Sequence, residues 1–389
     1  MKKPIIILLL VIGAINGLSA DNTVVVGAEQ ISAYLPLLQN KTVGIVANQT
    51  SMVKDIHLVD FLVSIGTNIH CIFAVEHGFR GKADAGAHIT SYTDKTTGIP
   101  VRSLYDGGIG KPSDEIMSYI DIIIFDMQDV GLRYYTYLTT LTKMMEACAD
   151  NNKLLLILDR PNPNGHYVDG PILDMKYKSG VGYLPIPIVH GMTFGEMALM
   201  INGEKWLPEG KQCNLRIITC SHYTHKTLYK LPIAPSPNLP NMRAVYLYPS
   251  LCYFEATPVS VGRGTNAPFQ VYGHPNMLGY DFSFIPTSKT GAQNPLQMGL
   301  KCYGRDLRTV PDNEEIFERG VDLRYLIDAY KNLHIGNHFF SPFFEKLIGV
   351  DYVRTMIKEG KSAEEIRAVW QNDVQKFKQQ RTPYLLYKE

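Results

Sequence analysis

Short runs of apolar β-formers recur along the first two-thirds of the chain, and each breaks off into polar residues. Val43 to Ala47 stops at Asn48-Gln49-Thr50-Ser51, Ile72 to Val75 at Glu76-His77-Gly78, Ile122 to Phe125 at Asp126-Met127-Gln128-Asp129, and Leu154 to Leu158 at Asp159-Arg160-Pro161. Runs this short and this rich in Ile, Leu and Val read as strands buried on both faces, the habit of a parallel sheet. Segments with helical spacing lie between them. Leu58 to Ile65 is one; Tyr137 to Ala149 is another, with Leu138, Leu141, Met144, Met145 and Cys148 on one broad face. Asp114 is placed to cap a helix over Glu115 to Ser118, and Thr193-Phe194-Gly195-Glu196 reads as a capping box opening a helix over Met197 to Asn202. Leu215 to Thr219 adds another strand. This alternation predicts an α/β fold built on a doubly wound, mostly parallel sheet.

The pattern changes near Leu231. Leu231 to Pro240 holds four prolines and cannot be the interior of a regular element. A domain boundary is placed just after it, giving an N-terminal domain over 21–245 and a smaller α+β domain over 246–389. In the latter, Ser362-Ala363-Glu364-Glu365 is a capping box for a helix running towards Phe377. At the other end, Met1-Lys2-Lys3, the apolar run Ile5 to Ile12 and the small-residue site Leu18-Ser19-Ala20 read as a secretory signal peptide over 1–20. The protein is expected to be exported, periplasmic or secreted, with no stable membrane insertion after cleavage.

Composition narrows the function. The 389 residues carry 38 Lys and Arg against 37 Asp and Glu, a net charge of +1 that provides no long-range field for nucleic acid or membrane. An anionic ligand must therefore be held by local Arg or Lys. The six cysteines form no CxxC pair, and the strand between Cys213 and Cys220 would hold those two beyond bridging distance. There is no GxSxG elbow, P-loop, HExxH or GxGxxG after the first strand, so no cofactor is implied. His77, Asp84, His88 and Asp126 match no metal-ligand spacing, and no metal is expected.

Candidate chemistry gathers where strands end, because ligands of open parallel sheets bind beyond the carboxyl ends of the strands. In Glu76-His77-Gly78-Phe79-Arg80-Gly81, the glycines allow a tight turn and close approach to a ligand. Glu76 reads as a general acid if burial raises its pKa, or as a loop carboxylate paired with Arg80. The segment from Asp126 to Tyr137 packs Asp126, Gln128, Asp129, Arg133 and Tyr134 into one loop, a mixture suited to polyhydroxylated ligands; Asp129 could instead cap the next helix. Asp159 reads either as a ligand contact or as the partner of Arg160 in a rigid turn. His190 precedes a helix N-terminus, where it can meet an anion or complete a hydrogen-bond network. In the second part, Glu255 follows apolar residues and Gly262-Arg263-Gly264 presents a guanidinium. Glu255 and Glu76 could face each other across a cleft, as two-carboxylate glycoside cleavage requires, or Glu255 could simply pair with Arg263.

These segments, with His190-Gly191-Met192-Thr193, Pro235-Ser236-Pro237-Asn238 and Phe254-Glu255-Ala256-Thr257 through Gly262-Arg263-Gly264-Thr265, together resemble the NamZ-type exo-β-N-acetylmuramidases, also known as the DUF1343 or YbbC-like family. The resemblance covers nearly all of the mature chain. It implies a Rossmann-like N-terminal domain, a smaller C-terminal domain and an active site in the cleft between them. It also implies hydrolytic release of terminal N-acetylmuramic acid from the non-reducing end of peptidoglycan-derived muropeptides or MurNAc-GlcNAc saccharides, and it lays the family's catalytic glutamate on Glu76. Glu255 is the candidate second catalytic group. His77, Arg80, Asp126, Gln128, Arg133, Tyr134, Asp159, His190 and Arg263 are candidate substrate contacts, with Arg80, Arg133 and Arg263 the cations available for the lactyl carboxylate. The alternative is a non-catalytic periplasmic binding protein for cell-wall sugars.

Overall fold

The computed structural model describes residues 23–76, 78–80, 90–105, 109–309 and 320–389. The segment read as a signal peptide, His77, Asp84 and His88 lie outside the described residues.

The apolar runs form strands as their composition demands. β1 (Thr42–Ala47) leads through the small hairpin of β2 (Met52–Val53) and β3 (Ile56–His57) to β4 (Asn68–Ala74), β5 (Tyr92–Thr93), β6 (Pro100–Ser103), β7 (Ile122–Asp126), β8 (Leu154–Leu158) and β9 (Asn214–Ile218). The seven-stranded sheet has the order β5-β6-β4-β1-β7-β8-β9, parallel throughout except for the short edge strand β5. The winding reverses between β1 and β7, so a crevice opens beyond their carboxyl ends, next to the end of β4. Around the sheet lie α1 (Ile31–Leu38), α2 (Leu58–Ser64), α3 (Asp114–Ser118), α4 (Tyr137–Asp150) and α5 (Phe194–Gly203). The Thr193–Glu196 capping box is formed as read. Helix α3 starts one residue earlier than expected: Ser113, not Asp114, is its cap, because the Ser113 hydroxyl accepts the Ile116 N–H.

The second part holds α6 (Met242–Leu251), a three-stranded antiparallel sheet of β10 (Val271–His274), β11 (Phe282–Phe284) and β12 (Cys302–Asp306), then α7 (Arg324–Leu333), α8 (Phe343–Ile348), α9 (Tyr352–Lys358) and α10 (Ala363–Arg381). Helix α10 carries the second expected capping box, at Ser362 and Glu365. The two parts have separate sheets but a common interior: one apolar cluster runs from Val46 and Phe125 through Tyr253 and Phe254 to Trp370 and Phe377. The chain end returns to the first sheet, where the Tyr387 hydroxyl donates to Asp159 at 2.6 Å. The proline-rich stretch between the parts is held in place. Its Ala234 and Pro235 carbonyls accept from Gln49, and Pro235 accepts also from the Tyr135 hydroxyl. All six cysteines are free and buried.

Candidate active site

Beyond β4 the chain turns at once. Gly78, at a φ of +75° that favours glycine, donates its N–H to the Val75 carbonyl at 2.8 Å. The turn leaves Glu76 half-buried at the carboxyl edge of the sheet. The Thr136 hydroxyl donates to its Oε2 at 2.6 Å, and the Tyr105 hydroxyl reaches the same carboxylate. Burial first, and then the Glu76 charge, push the Tyr105 phenol up to about 12, so it stays a donor.

The loop after β7 supplies an aromatic wall. Tyr134, Tyr135 and Tyr137 are buried, with the Tyr135 and Tyr137 rings edge to face at 4.7 Å. The Tyr134 hydroxyl donates to the Tyr248 carbonyl at 3.0 Å and fixes the loop against α6. From the second part, α6 runs on into a 3-10 turn, Cys252–Ala256, that carries Glu255. Glu76, Glu255, Arg263 and the three tyrosines open onto one cavity of about 230 Å³, closed by Ser236, Asn238 and Leu239 of the proline-rich stretch and by Phe343 and Leu347 of α8.

Within that cavity Arg263 Nη1 donates to Glu255 Oε1 at 2.5 Å, and about a quarter of each side chain stays accessible. Burial raises the Glu255 carboxyl above its usual value; Arg263 opposes the shift and the charge of Glu76 adds to it. The carboxylates from the two parts are thus electrostatically coupled. Arg263 is the only cation among the described residues lining this cavity.

The other described candidates from the sequence do not line this cavity. Asp126 is fully buried and takes both Nε and Nη2 of Arg160, at 2.6 and 2.9 Å. The Gln128 amide donates to the Asp129 and Pro161 carbonyls. Arg133 is buried and donates to the carbonyls of Pro171, Ile186 and Leu347, so it anchors α8 rather than a ligand; desolvation lowers its guanidinium to about 10. Asp159 accepts from the Thr193 hydroxyl, the Gly195 N–H and the Tyr387 hydroxyl. His190 is buried, its Nε2 3.6 Å from Asp129 Oδ2. Asp129 caps no helix: α4 follows Thr136. Arg80 is drawn to Asp94 at 3.0 Å and Asp60 at 3.6 Å. Of the candidate contacts, Tyr134 and Arg263 line the cavity with the two glutamates.

Sequence reasoning gave no role to Tyr105, Thr136, Ser236 or Asn238. Thr136 closes the quoted β7 loop, and Ser236 and Asn238 lie in the quoted Pro-Ser-Pro-Asn segment, so position in a motif was the available signal. Tyr105 had none.

Family models for the exo-β-N-acetylmuramidase NamZ match both parts, the N-terminal model over residues 43–243 and the C-terminal model over 246–387. The chain belongs to the NamZ family, and it is a glycoside hydrolase. It is 35% identical over 381 residues to the peptidoglycan β-N-acetylmuramidase NamZ of Bacillus subtilis, covering 91% of this chain and 89% of that protein. Two crystal structures of DUF1343 family proteins from Bacteroides fragilis share its fold. One is 57% identical with a TM-score of 0.88, the other 27% identical with a TM-score of 0.79; each comparison covers 94% of this chain and 99% of the other.

Proposed function

We propose that this protein is an exported exo-β-N-acetylmuramidase that releases N-acetylmuramic acid from the non-reducing end of peptidoglycan fragments. The observation that carries this reading is the meeting of Glu76 and Glu255, one from each part of the chain, in a small cavity with tyrosine walls and, among the described residues, one lining guanidinium. A small, aromatic-walled cavity suits one terminal sugar. Glu76 hands its proton to the departing oxygen as the bond to the anomeric carbon breaks, Glu255 faces the positive charge that develops on that carbon, and water then adds to the carbon and returns one proton to the carboxylates of the site. Arg263 meets the lactyl carboxylate that sets muramic acid apart from glucosamine. A buried charge built to pair with its substrate discriminates against a sugar that lacks it.

One observation favours exchanging the two carboxylates: burial raises the Glu255 carboxyl, as a proton donor needs. Leaving groups decide. The variant lacking the acid loses most turnover of a MurNAc–GlcNAc disaccharide, whose leaving oxygen needs a proton. It keeps much of its rate on a nitrophenyl N-acetylmuraminide, whose leaving group does not. Glu76→Gln is expected to show that split and Glu255→Gln to lose both substrates; the reverse exchanges the roles. If the wild-type protein turns over neither substrate, the hydrolase reading fails and sugar binding without catalysis replaces it. Arg263→Ala is expected to lose about tenfold or more in selectivity for the muramic over the glucosamine glycoside. Equal losses on both would leave Arg263 as the partner of Glu255 alone. Export is tested by N-terminal sequencing of protein recovered from outside the cytoplasm, with a chain starting near Asp21 expected.

A further inference from the structure

Helix α4 begins on a threonine that does not cap it. Helices α3, α5, α6 and α10 each start from a residue whose side chain accepts a backbone N–H of the first turn: Ser113, Thr193, Asn241 and Ser362. Thr136 stands at the same point of α4 and makes no such bond; its backbone is already helical, at a φ of −59° and a ψ of −18°. Capping residues ordinarily keep an extended backbone, which lets the side-chain oxygen turn back onto the first turn. The Thr136 hydroxyl goes elsewhere. It donates to Glu76 Oε2 at 2.6 Å, across 60 positions of the chain. Helix α4 thus forgoes a stabilising contact that its own sequence supplies, and the hydroxyl serves a carboxylate in the cavity instead.

A second hydroxyl arrives from a different element. Strand β6 runs parallel to β4 with Ser103 opposite Ala74, and the Leu104 N–H donates to the Ala74 carbonyl at 2.8 Å. That register carries Tyr105 alongside Glu76, where its phenol meets the carboxylate. The Ser103 hydroxyl accepts the Tyr105 N–H at 3.0 Å and steadies the backbone there. Glu76, Tyr105 and Thr136 all line the same cavity.

A hydroxyl does for a carboxyl group what a guanidinium cannot. Arg263 only donates, so its bond to Glu255 suits the ionised form alone. A hydroxyl donates to a carboxylate and, after turning about its C–O bond, accepts from a carboxylic acid. Glu76 can therefore lose and regain a proton without giving up either partner. The hydroxyls keep their own protons throughout: the Tyr105 phenol is pushed up to about 12, first by burial and then by the Glu76 charge.

We propose that Thr136 and Tyr105 are positioning residues for Glu76, holding its carboxyl group on the cavity side and reversing from donor to acceptor as the proton leaves and returns. This rests on the glycosidase reading above, in which Glu76 protonates the departing oxygen. It adds what holds that group through the cycle, and it gives a reason for the missing cap of α4.

The test measures turnover of the MurNAc–GlcNAc disaccharide by the whole protein. Thr136→Val keeps the shape of the side chain and removes the hydroxyl. It is expected to lose about tenfold or more in kcat with KM within about twofold, at a melting temperature within about 2 °C of wild type, since no cap is lost. Thr136→Ser, which keeps the hydroxyl, should stay within about threefold of wild type in kcat. Tyr105→Phe should lower kcat in the same way, by less. Because Thr136 acts through Glu76, adding Thr136→Val to Glu76→Gln should cost less than about a further twofold. A wild-type kcat in Thr136→Val, a loss confined to KM, a loss that follows a fallen melting temperature, or a full further loss in the Glu76→Gln background would each overturn the positioning role and leave Glu76 in place. Full turnover by Glu76→Gln itself would overturn the role of Glu76, and the positioning role with it.

Discussion

At the carboxyl edge of the sheet, β4 and β7 flank β1, and each runs into an acid: Glu76 just past β4 and Asp126 at the end of β7. Their fates differ because of what lies within reach. Arg160, delivered by the end of β8, folds over Asp126 with two hydrogen bonds and takes it out of contact with solvent. The guanidinium nearest Glu76 in sequence, Arg80, is instead captured by Asp94 and Asp60. Glu76 receives hydroxyl donors from Thr136 and Tyr105 and keeps an open side towards the cavity. A strand-end carboxylate that a guanidinium closes over, as Arg160 does over Asp126, is thereby withdrawn from chemistry. A third acid, Asp159, is closed off without a cation, by the donors of Thr193, Gly195 and Tyr387.

The sharpest way to break the comparison is to neutralise each acid in turn. Glu76→Gln should reduce turnover of the disaccharide about 100- to 10,000-fold, with a melting temperature within about 2 °C of wild type. Asp126→Asn should do the opposite. It leaves Arg160 buried without its counter-charge, a loss on the order of 3–5 kcal/mol in unfolding free energy, while kcat per folded molecule stays close to wild type. Denaturant unfolding and active-site-normalised rates measure both. An inactive but fully stable Asp126→Asn protein would return that residue to the candidate site.

Much of this contrast could not be read from the chain. The strands, the α4 apolar face and both capping boxes were legible, because apolar runs and local hydrogen bonds are written over a few neighbouring residues. The acids at strand ends were legible as a set, but not which one would stay open. That depends on Arg160 folding back over a strand 34 positions earlier, and on Tyr387 returning from 228 positions away. Arg133 misled for a similar reason. A guanidinium in a loop full of tyrosines looks like an anion site, yet its three acceptors are backbone carbonyls, one of them Leu347 in the second part. The Glu255–Arg263 pair was legible as an alternative, since only seven residues lie between them in the chain.

The mildest test concerns Asp159, the acid closed off without a cation. Burial raises its carboxyl from 3.8 to about 6, against the opposing pull of its three donors. The folded state therefore holds a proton at Asp159 that the unfolded chain releases near pH 4. The stability from this group is complete below the unfolded pKa, declines as pH rises, and is gone above about 6. A gap of about two pH units at about 1.4 kcal/mol each amounts to roughly 2–3 kcal/mol across the window. Asp159→Asn removes the titration, so the stability of the variant relative to wild type should rise by about that amount between pH 4 and pH 6. Urea unfolding of both proteins at intervals across this range reads the difference directly. Curves that stay parallel would mean that Thr193, Gly195 and Tyr387 keep the carboxylate ionised, and Asp159 would then resemble Asp126 in charge as well as in burial.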